Sequence, residues 1–234
     1  MTEVVLLSVI HKLLETERIY VKCLNQLKEF QFEPIHQHFT QENTSEIDPK
    51  LEELMNQTQI ILLINEEFLN ELEQRLGSNT SVDTPISDII QKYAPQFKKY
   101  TGYMDVQEKA TEAYYKLMTE YPSVQEESIR LQKEAKTFVN FDSLLITPVQ
   151  RIPRFIMLTK EILKHTPNNH INREGLQQSM NSLKDIASFI NDHIKQKHIQ
   201  YLLVIVYLFV YLLPYAINQI IRRKKPLPNL GSAL

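Results

Sequence analysis

Residues 143–167, SLLITPVQRIPRFIMLTKEILKHTP, are the stretch that decides how this chain folds. The segment is rich in apolar residues and long enough for a helix of several turns. Pro153 lies well inside it, removes one backbone hydrogen bond and is expected to kink the helix. We therefore predict a kinked helix over 143–165, followed by a loop at 166–169.

The rest of the chain also predicts helices. A stripe of apolar residues at three- and four-residue steps indicates a first amphipathic helix and comprises Leu6, Ile10, Leu13, Leu14, Val21, Leu24 and Leu27. Prolines and small polar residues predict a break near 31–48. A second helix is predicted over 49–76, and Thr84 before Pro85 resembles a helix N-cap. Further helical segments follow at 96–120, 123–140 and 172–198, and no sustained strand-like alternation is present.

Composition excludes several classes of protein. The 234 residues include only four glycines, too few for the turns and phosphate loops of a sandwich, a barrel or a Rossmann fold. The single cysteine, Cys23, excludes a disulfide framework and a cysteine-based zinc site. Phosphate-loop, nucleophile-elbow and metalloprotease motifs are absent, and the seven histidines lack metal-ligand spacing. We therefore expect no cofactor, no metal and no bond-making chemistry.

Charge divides the chain into a body and a tail. Residues 1–198 hold 22 basic and 28 acidic residues, a net charge of −6, which argues against a nucleic-acid partner. Residues 199–221 carry no charge and include YLLVIVYLFVYLLPYAI at 201–217, long enough for a membrane span. The remaining residues, 222–234, begin with four consecutive basic residues. We predict a folded domain over 1–198, a hydrophobic candidate membrane segment and a short basic tail.

The tail has three interpretations. A C-terminal membrane anchor with a cytoplasmic body is the favoured one, although the basic cluster at 222–225 would then be translocated against the positive-inside tendency. A segment lying at the membrane interface, or folding back as a hairpin, is the second. Translated non-coding sequence is the third, because the composition changes abruptly at 199.

Three blocks together resemble the Dbl-homology (DH) domain of Rho guanine-nucleotide exchange factors. Residues 12–27, KLLETERIYVKCLNQL, resemble its first conserved block, and residues 85–110, PISDIIQKYAPQFKKYTGYMDVQEKA, resemble the second. The opening stretch, 143–167, resembles the third and most specific block. The order and distances fit, and the resemblance covers roughly residues 1–197.

The resemblance implies an elongated all-α bundle of about six helices with kinked segments, to which the tail would add a hydrophobic C-terminal helix. It also implies that the chain binds the two switch regions of a Rho- or Rac-family small GTPase. Such a factor disturbs the Mg²⁺ site and nucleotide contacts of the GTPase, promotes GDP release and prefers the nucleotide-free form. It accelerates exchange without making or breaking a covalent bond.

Motif matching assigns the residues that would bind the GTPase. Arg154 occupies the position of the family's basic residue that contacts the second switch, and Asn191 that of the conserved asparagine of the last helix. A guanidinium and an amide suit this task, because they bond loop carbonyls and carboxylates. Ile146 matches the position that packs beside the switches and helps choose the partner, with plain core as the alternative. Gln150 belongs to the same signature.

The first block departs from the family at one position. The family usually has a glutamate that contacts the first switch where this chain has Lys12. Such a charge reversal at an interface can cost several kcal/mol. Glu15, about 4.5 Å further along the helix, is a candidate substitute.

Glu17 falls on the apolar stripe of the first helix, so it needs a partner if it is buried. Arg151 is the candidate partner. The sequence therefore leaves two main functions: an active exchange factor, and a catalytically impaired DH-like module that acts as a GTPase-binding or membrane scaffold. A helical adaptor unrelated to GTPases is a weaker third.

Overall fold

The computed structural model describes residues 2–42, 47–77 and 81–207, and within these ranges every regular element is helical. The eight α-helices are α1 (Thr2–Leu27), α2 (Glu33–Glu42), α3 (Pro49–Arg75), α4 (Ser87–Tyr93), α5 (Tyr100–Glu120), α6 (Pro122–Glu134), α7 (Phe141–His165) and α8 (Arg173–Tyr207). A π-helical turn, Lys28–Phe32, joins α1 to α2, and a 3₁₀ segment, Ala94–Lys99, joins α4 to α5. Six of the α-helices have 13 residues or more. The all-α prediction is confirmed.

The core lies between α1, α3, α5 and α7, which pack on one another. All seven apolar positions of the predicted α1 stripe are buried, and Leu13, Leu24 and Leu27 are completely inaccessible. Because one face of α1 is buried along its length, hydrophobic burial stabilises this helix.

Two prolines interrupt the hydrogen-bond ladder of α7. Pro148 leaves the carbonyl of Leu144 without an amide donor, and Thr147 Oγ1 donates to that carbonyl at 2.7 Å instead. Pro153 is the second interruption, as the sequence predicted. The helix begins at the N-cap Asn140, whose side chain accepts from the backbone N–H of Asp142 and Ser143. These features fix where α7 starts and where it bends.

The first turns of α8 dock closely against α4. Gln91 Nε2 donates to the carbonyl of Gly175 at 3.0 Å, and Ser179 Oγ donates to the carbonyl of Ser87 at 3.1 Å. A Cβ at Gly175 would lie only 2.4 Å from Ser87 Oγ. The absence of a side chain at Gly175 therefore sets the approach of the two helices.

Several predicted boundaries differ from the structure. The predicted break near 31–48 contains the end of the π-helical turn and all of α2, since buried Phe32 and Ile35 hold this segment in the core. Thr84 does not cap a helix; α4 begins later, behind Ile86, and Thr84 Oγ1 accepts instead from the backbone N–H of Ser81. The predicted helix over 123–140 ends at Glu134.

The chain divides into two compact units, one ending at Asn191 and the other beginning at Asp192. Residues 199–207 continue α8, and the remainder of the predicted membrane segment, 208–221, lies outside the described residues, as does the basic tail 222–234. Across the described ranges, no helix is sufficiently long and apolar to cross a membrane.

Candidate functional site

Helices α1 and α7 lie side by side and run in opposite directions. Leu6 and Ile10, near the start of α1, lie beside Ile162 at the end of α7, Glu17 meets Arg151 midway, and Gln26, at the end of α1, donates to Thr137 just before α7. A small hollow of about 50 Å³ opens between the two helices on their outer side. Its walls come from Thr16, Ile19, Tyr20 and Cys23 of α1 and from Thr147, Gln150, Arg151 and Arg154 of α7. The first and third sequence blocks thus form one surface.

A buried ion pair lies directly beneath this surface. Arg151 Nη2 donates to Glu17 Oε2, and the two side chains are 4% and 0% exposed. The Arg151 guanidinium also lies 5.1 Å from the ring centre of Tyr20 and 5.4 Å from that of Phe155. Burial raises the pKa of the Glu17 carboxyl, and the charge of Arg151 opposes that shift. The structure contains the pair that the sequence suggested.

A hydrogen-bond network continues from this pair into α3 and α5. The hydroxyls of Tyr20 and Tyr100 lie 2.9 Å apart, and Asn65 Nδ2 donates to Tyr100 at 2.9 Å and to the carbonyl of Ile61 at 2.7 Å. Burial raises the pKa of Tyr100, so its hydroxyl stays protonated in the physiological range. The network connects α1 to α3 and α5, which holds the inner side of the α1–α7 surface in place.

The predicted contact residues on α1 and α7 face solvent. Lys12, Gln150 and Arg154 are exposed, and Ile146 is 39% exposed, more than a plain core residue would be. Glu15 is also exposed, but Arg18 Nη1 lies 3.6 Å from its carboxylate and Arg18 Nε donates to Glu73 at 2.7 Å. Glu15 is therefore already partnered within the chain.

Arg154 differs from the other arginines of the described ranges. Arg18, Arg75, Arg130 and Arg151 each pair with a carboxylate, and Arg173 donates to the carbonyls of Leu163 and Thr166. Within residues 2–42, 47–77 and 81–207, Arg154 alone has no hydrogen-bond acceptor or ion-pair partner. Its five N–H donors are therefore free to bind another molecule.

Asn191, the predicted contact on the last helix, is exposed on α8. Among the described residues it makes no hydrogen bond to α1 or α7. The structure thus places Gln150 and Arg154 of the predicted site beside α1, while Asn191 lies on a third helix.

The sequence did not single out several residues of the surface. Cys23 is half-buried in the hollow, where burial raises its pKa while nearby Lys22 and Arg154 oppose the shift. Ile19 and Met157 are 50% and 70% exposed. Large apolar side chains on the outward side of otherwise amphipathic helices are a signal that could have identified them.

The sequence model of the RhoGEF domain family matches residues 9–191. The chain belongs to this family. The Rac guanine nucleotide exchange factor JJ of Dictyostelium discoideum is 33% identical to this chain over 185 residues. The matched region is 78% of this chain and 15% of that protein. The Rho guanine nucleotide exchange factor 17 of Homo sapiens is 30% identical over 197 residues, 78% of this chain and 9% of that protein.

Solved structures show the same fold. The complex of PDZ-RhoGEF DH/PH domains with GTP-γS-activated RhoA matches with a TM-score of 0.68 and 18% identity, covering 83% of this chain and 54% of that chain. Autoinhibited Vav1 matches with a TM-score of 0.69 and 19% identity, covering 86% and 37%. The chain therefore spans a minor part of the curated relatives and about half or less of these solved chains.

Proposed function

We propose that the RhoGEF domain is a guanine-nucleotide exchange factor for a Rho- or Rac-family small GTPase. The observation that carries the proposal is the α1–α7 surface, on which Arg154 and Gln150 are exposed and Arg154 has no partner in the described chain. Family membership over 9–191 and relatives named as Rac and Rho exchange factors support it.

The proposed mechanism uses binding energy alone. Arg154, Gln150 and Asn191 bond carbonyls and carboxylates of the switch loops and hold them in a shape that no longer closes around Mg²⁺ and GDP. Because the coupling is reciprocal, the nucleotide-free GTPase binds this surface most tightly, and incoming nucleotide displaces it. The buried Glu17–Arg151 pair keeps α1 and α7 in register while the loops are held.

Release of fluorescent GDP from a panel of Rho- and Rac-type GTPases tests this proposal. The full chain is expected to accelerate release from at least one member. Arg154→Ala should reduce the acceleration by about 10- to 100-fold, because a charge-assisted contact is lost. Arg130→Ala is the matched control, since Arg130 is an exposed arginine of α6 already paired with Glu127 and Glu134. Equal activity of the two variants would contradict the assignment of Arg154.

A catalytically impaired scaffold is the second candidate, and Lys12 favours it. Lys12 is exposed and stands where the resemblance has a glutamate. Under this alternative the native chain captures a nucleotide-free GTPase without accelerating GDP release, and Lys12→Glu restores acceleration.

For localisation we propose the cytoplasm, where small GTPases signal, with attachment to a membrane through 199–221. The uncharged run at 201–217 supports attachment. Fractionation of cells expressing the full chain or a chain ending at residue 198 tests it. Recovery of both in the soluble fraction would contradict membrane attachment.

A further inference from the structure

The outer surface of α1 and α7 carries an unusual balance of charge. We call this surface, from Lys12 to Cys23 on α1 and from Ile146 to Lys160 on α7, the cationic face. Residues 143–160 include no acidic residue, although the body of the chain has a net charge of −6. The face therefore differs in sign from the domain that carries it.

The acidic groups on or near the cationic face are all engaged. Glu15 lies 3.6 Å from Arg18, and Glu17 is buried against Arg151. At the start of α7, Asp142 accepts from Tyr115 of α5 at 2.7 Å, and beyond its end Glu161 accepts from Lys164 and His165. Of the cations on the face, Arg18 and Arg151 are thus the two that pair with carboxylates.

The other cations of the face, in contrast, have no acidic partner within the described ranges. They are Lys12 and Lys22 on α1 and Arg154 and Lys160 on α7, all exposed. Lys12 and Lys22 lie ten residues apart, about 15 Å along the helix. Lys22 and Arg154, which come from the two helices, both act on the thiol of Cys23. Arg154 lines the hollow beside the apolar side chain of Ile19, so the hollow itself carries a cation.

We infer that the cationic face binds an acidic surface of its GTPase, with Lys12 forming a favourable contact with a partner carboxylate. The inference rests on the proposed exchange function and deepens it by naming the chemistry of the partner. An acidic domain repels an acidic partner at long range, so a local positive face selects the orientation in which the two meet. Lys12 then contributes to binding instead of having abolished exchange.

The test measures GDP release by the full chain at several salt concentrations. Raising KCl from about 50 to about 300 mM should slow the catalysed release by roughly tenfold, because screening weakens attraction between opposite charges. Lys12→Glu should slow release by about tenfold at low salt and by much less at high salt. Lys133→Glu makes the same charge change at an exposed position of α6 and should leave the rate within about twofold.

A second arm uses the partner. The GTPase residue whose carboxylate lies opposite Lys12 is replaced by lysine. This change should slow GDP release by the native chain and restore GDP release by the Lys12→Glu variant. Faster release by Lys12→Glu, or a rate insensitive to salt, would overturn the inference while leaving the exchange function standing. If the native chain neither accelerates release nor captures any nucleotide-free GTPase, the exchange function and this inference both fail. Thermal unfolding of each variant separates these outcomes from misfolding.

Discussion

Replacing Arg151 by methionine is expected to destabilise the domain strongly. The Glu17 and Arg151 side chains are 0% and 4% exposed, so removing one partner leaves the other buried without its counter-charge. Breaking a buried pair in this way costs about 3–5 kcal/mol. With a urea dependence of about 2 kcal/mol per molar, the unfolding midpoint should fall by about 1.5–2.5 M.

Two further variants separate the missing charge from a packing defect. The double variant Glu17→Leu, Arg151→Met should recover most of the lost stability, because no uncompensated charge remains and methionine packs well against the rings of Tyr20 and Phe155. Arg18→Met, which breaks an exposed pair with Glu73, should leave the midpoint nearly unchanged. A single Arg151→Met variant that loses less than about 1 kcal/mol would refute the reasoning.

The pH dependence of the Arg151→Met variant has a definite sign. Without Arg151, burial acts unopposed and raises the pKa of Glu17 further above its value in the unfolded chain. The folded variant then binds the Glu17 proton more tightly than the unfolded chain does, so its stability falls as pH rises. Its deficit relative to the native chain should be smaller near about pH 5 than near about pH 8. A deficit that grows toward acid pH would contradict this account.

Three more predictions concern the supports of the site. Gly175→Ala should lower the free energy of unfolding by about 1–3 kcal/mol, because its Cβ would meet Ser87 Oγ at 2.4 Å, and Ser87→Ala should restore part of the loss in urea titrations. Asn140→Ala should cost about 1 kcal/mol by removing the N-cap of α7, measured in the same way. Arg75 lowers the pKa of Asp88. At pH values above the unfolded pKa of this carboxyl, the half-exposed pair contributes less than about 1 kcal/mol to the free energy of unfolding. That contribution is lost as pH falls through the folded value, and thermal unfolding of Arg75→Ala at neutral and acid pH should show the difference disappearing.

Periodicity predicted the long helices because each buries one regular stripe. The α1 stripe from Leu6 to Leu27 and the loop after α7 both agree with the structure. Periodicity failed at 28–42, where a π-helical turn changes the phase of the helix and Pro34 lies within the first turn of α2, a position that accepts proline. Local composition indicates a break there, whereas the burial of Phe32 and Ile35 stabilises helical structure.

The site was predictable where it depends on one helix at a time. The exposure of Gln150 and Arg154 follows from their position on the outward side of α7. The hollow at Cys23 was not predictable, because it exists only where α1 and α7 lie side by side, and the sequence does not specify their register. The compensation of Glu15 by Arg18, which itself reaches Glu73 on α3, likewise depends on packing.

Arg151 and Arg154 lie about one helical turn apart on α7, and of the two only Arg154 is exposed. Arg151 points inward and holds α7 to α1 through Glu17, whereas Arg154 points outward beside the residues of α1 that line the hollow. The position of Arg154 relative to α1 is therefore fixed by the pair beneath it. Substituting Arg154 should reduce GDP release while leaving the urea midpoint unchanged, whereas substituting Arg151 should lower both. If Arg151→Met retained full exchange activity at temperatures where it stays folded, the buried pair would contribute to stability alone, and α7 would be positioned by its apolar contacts.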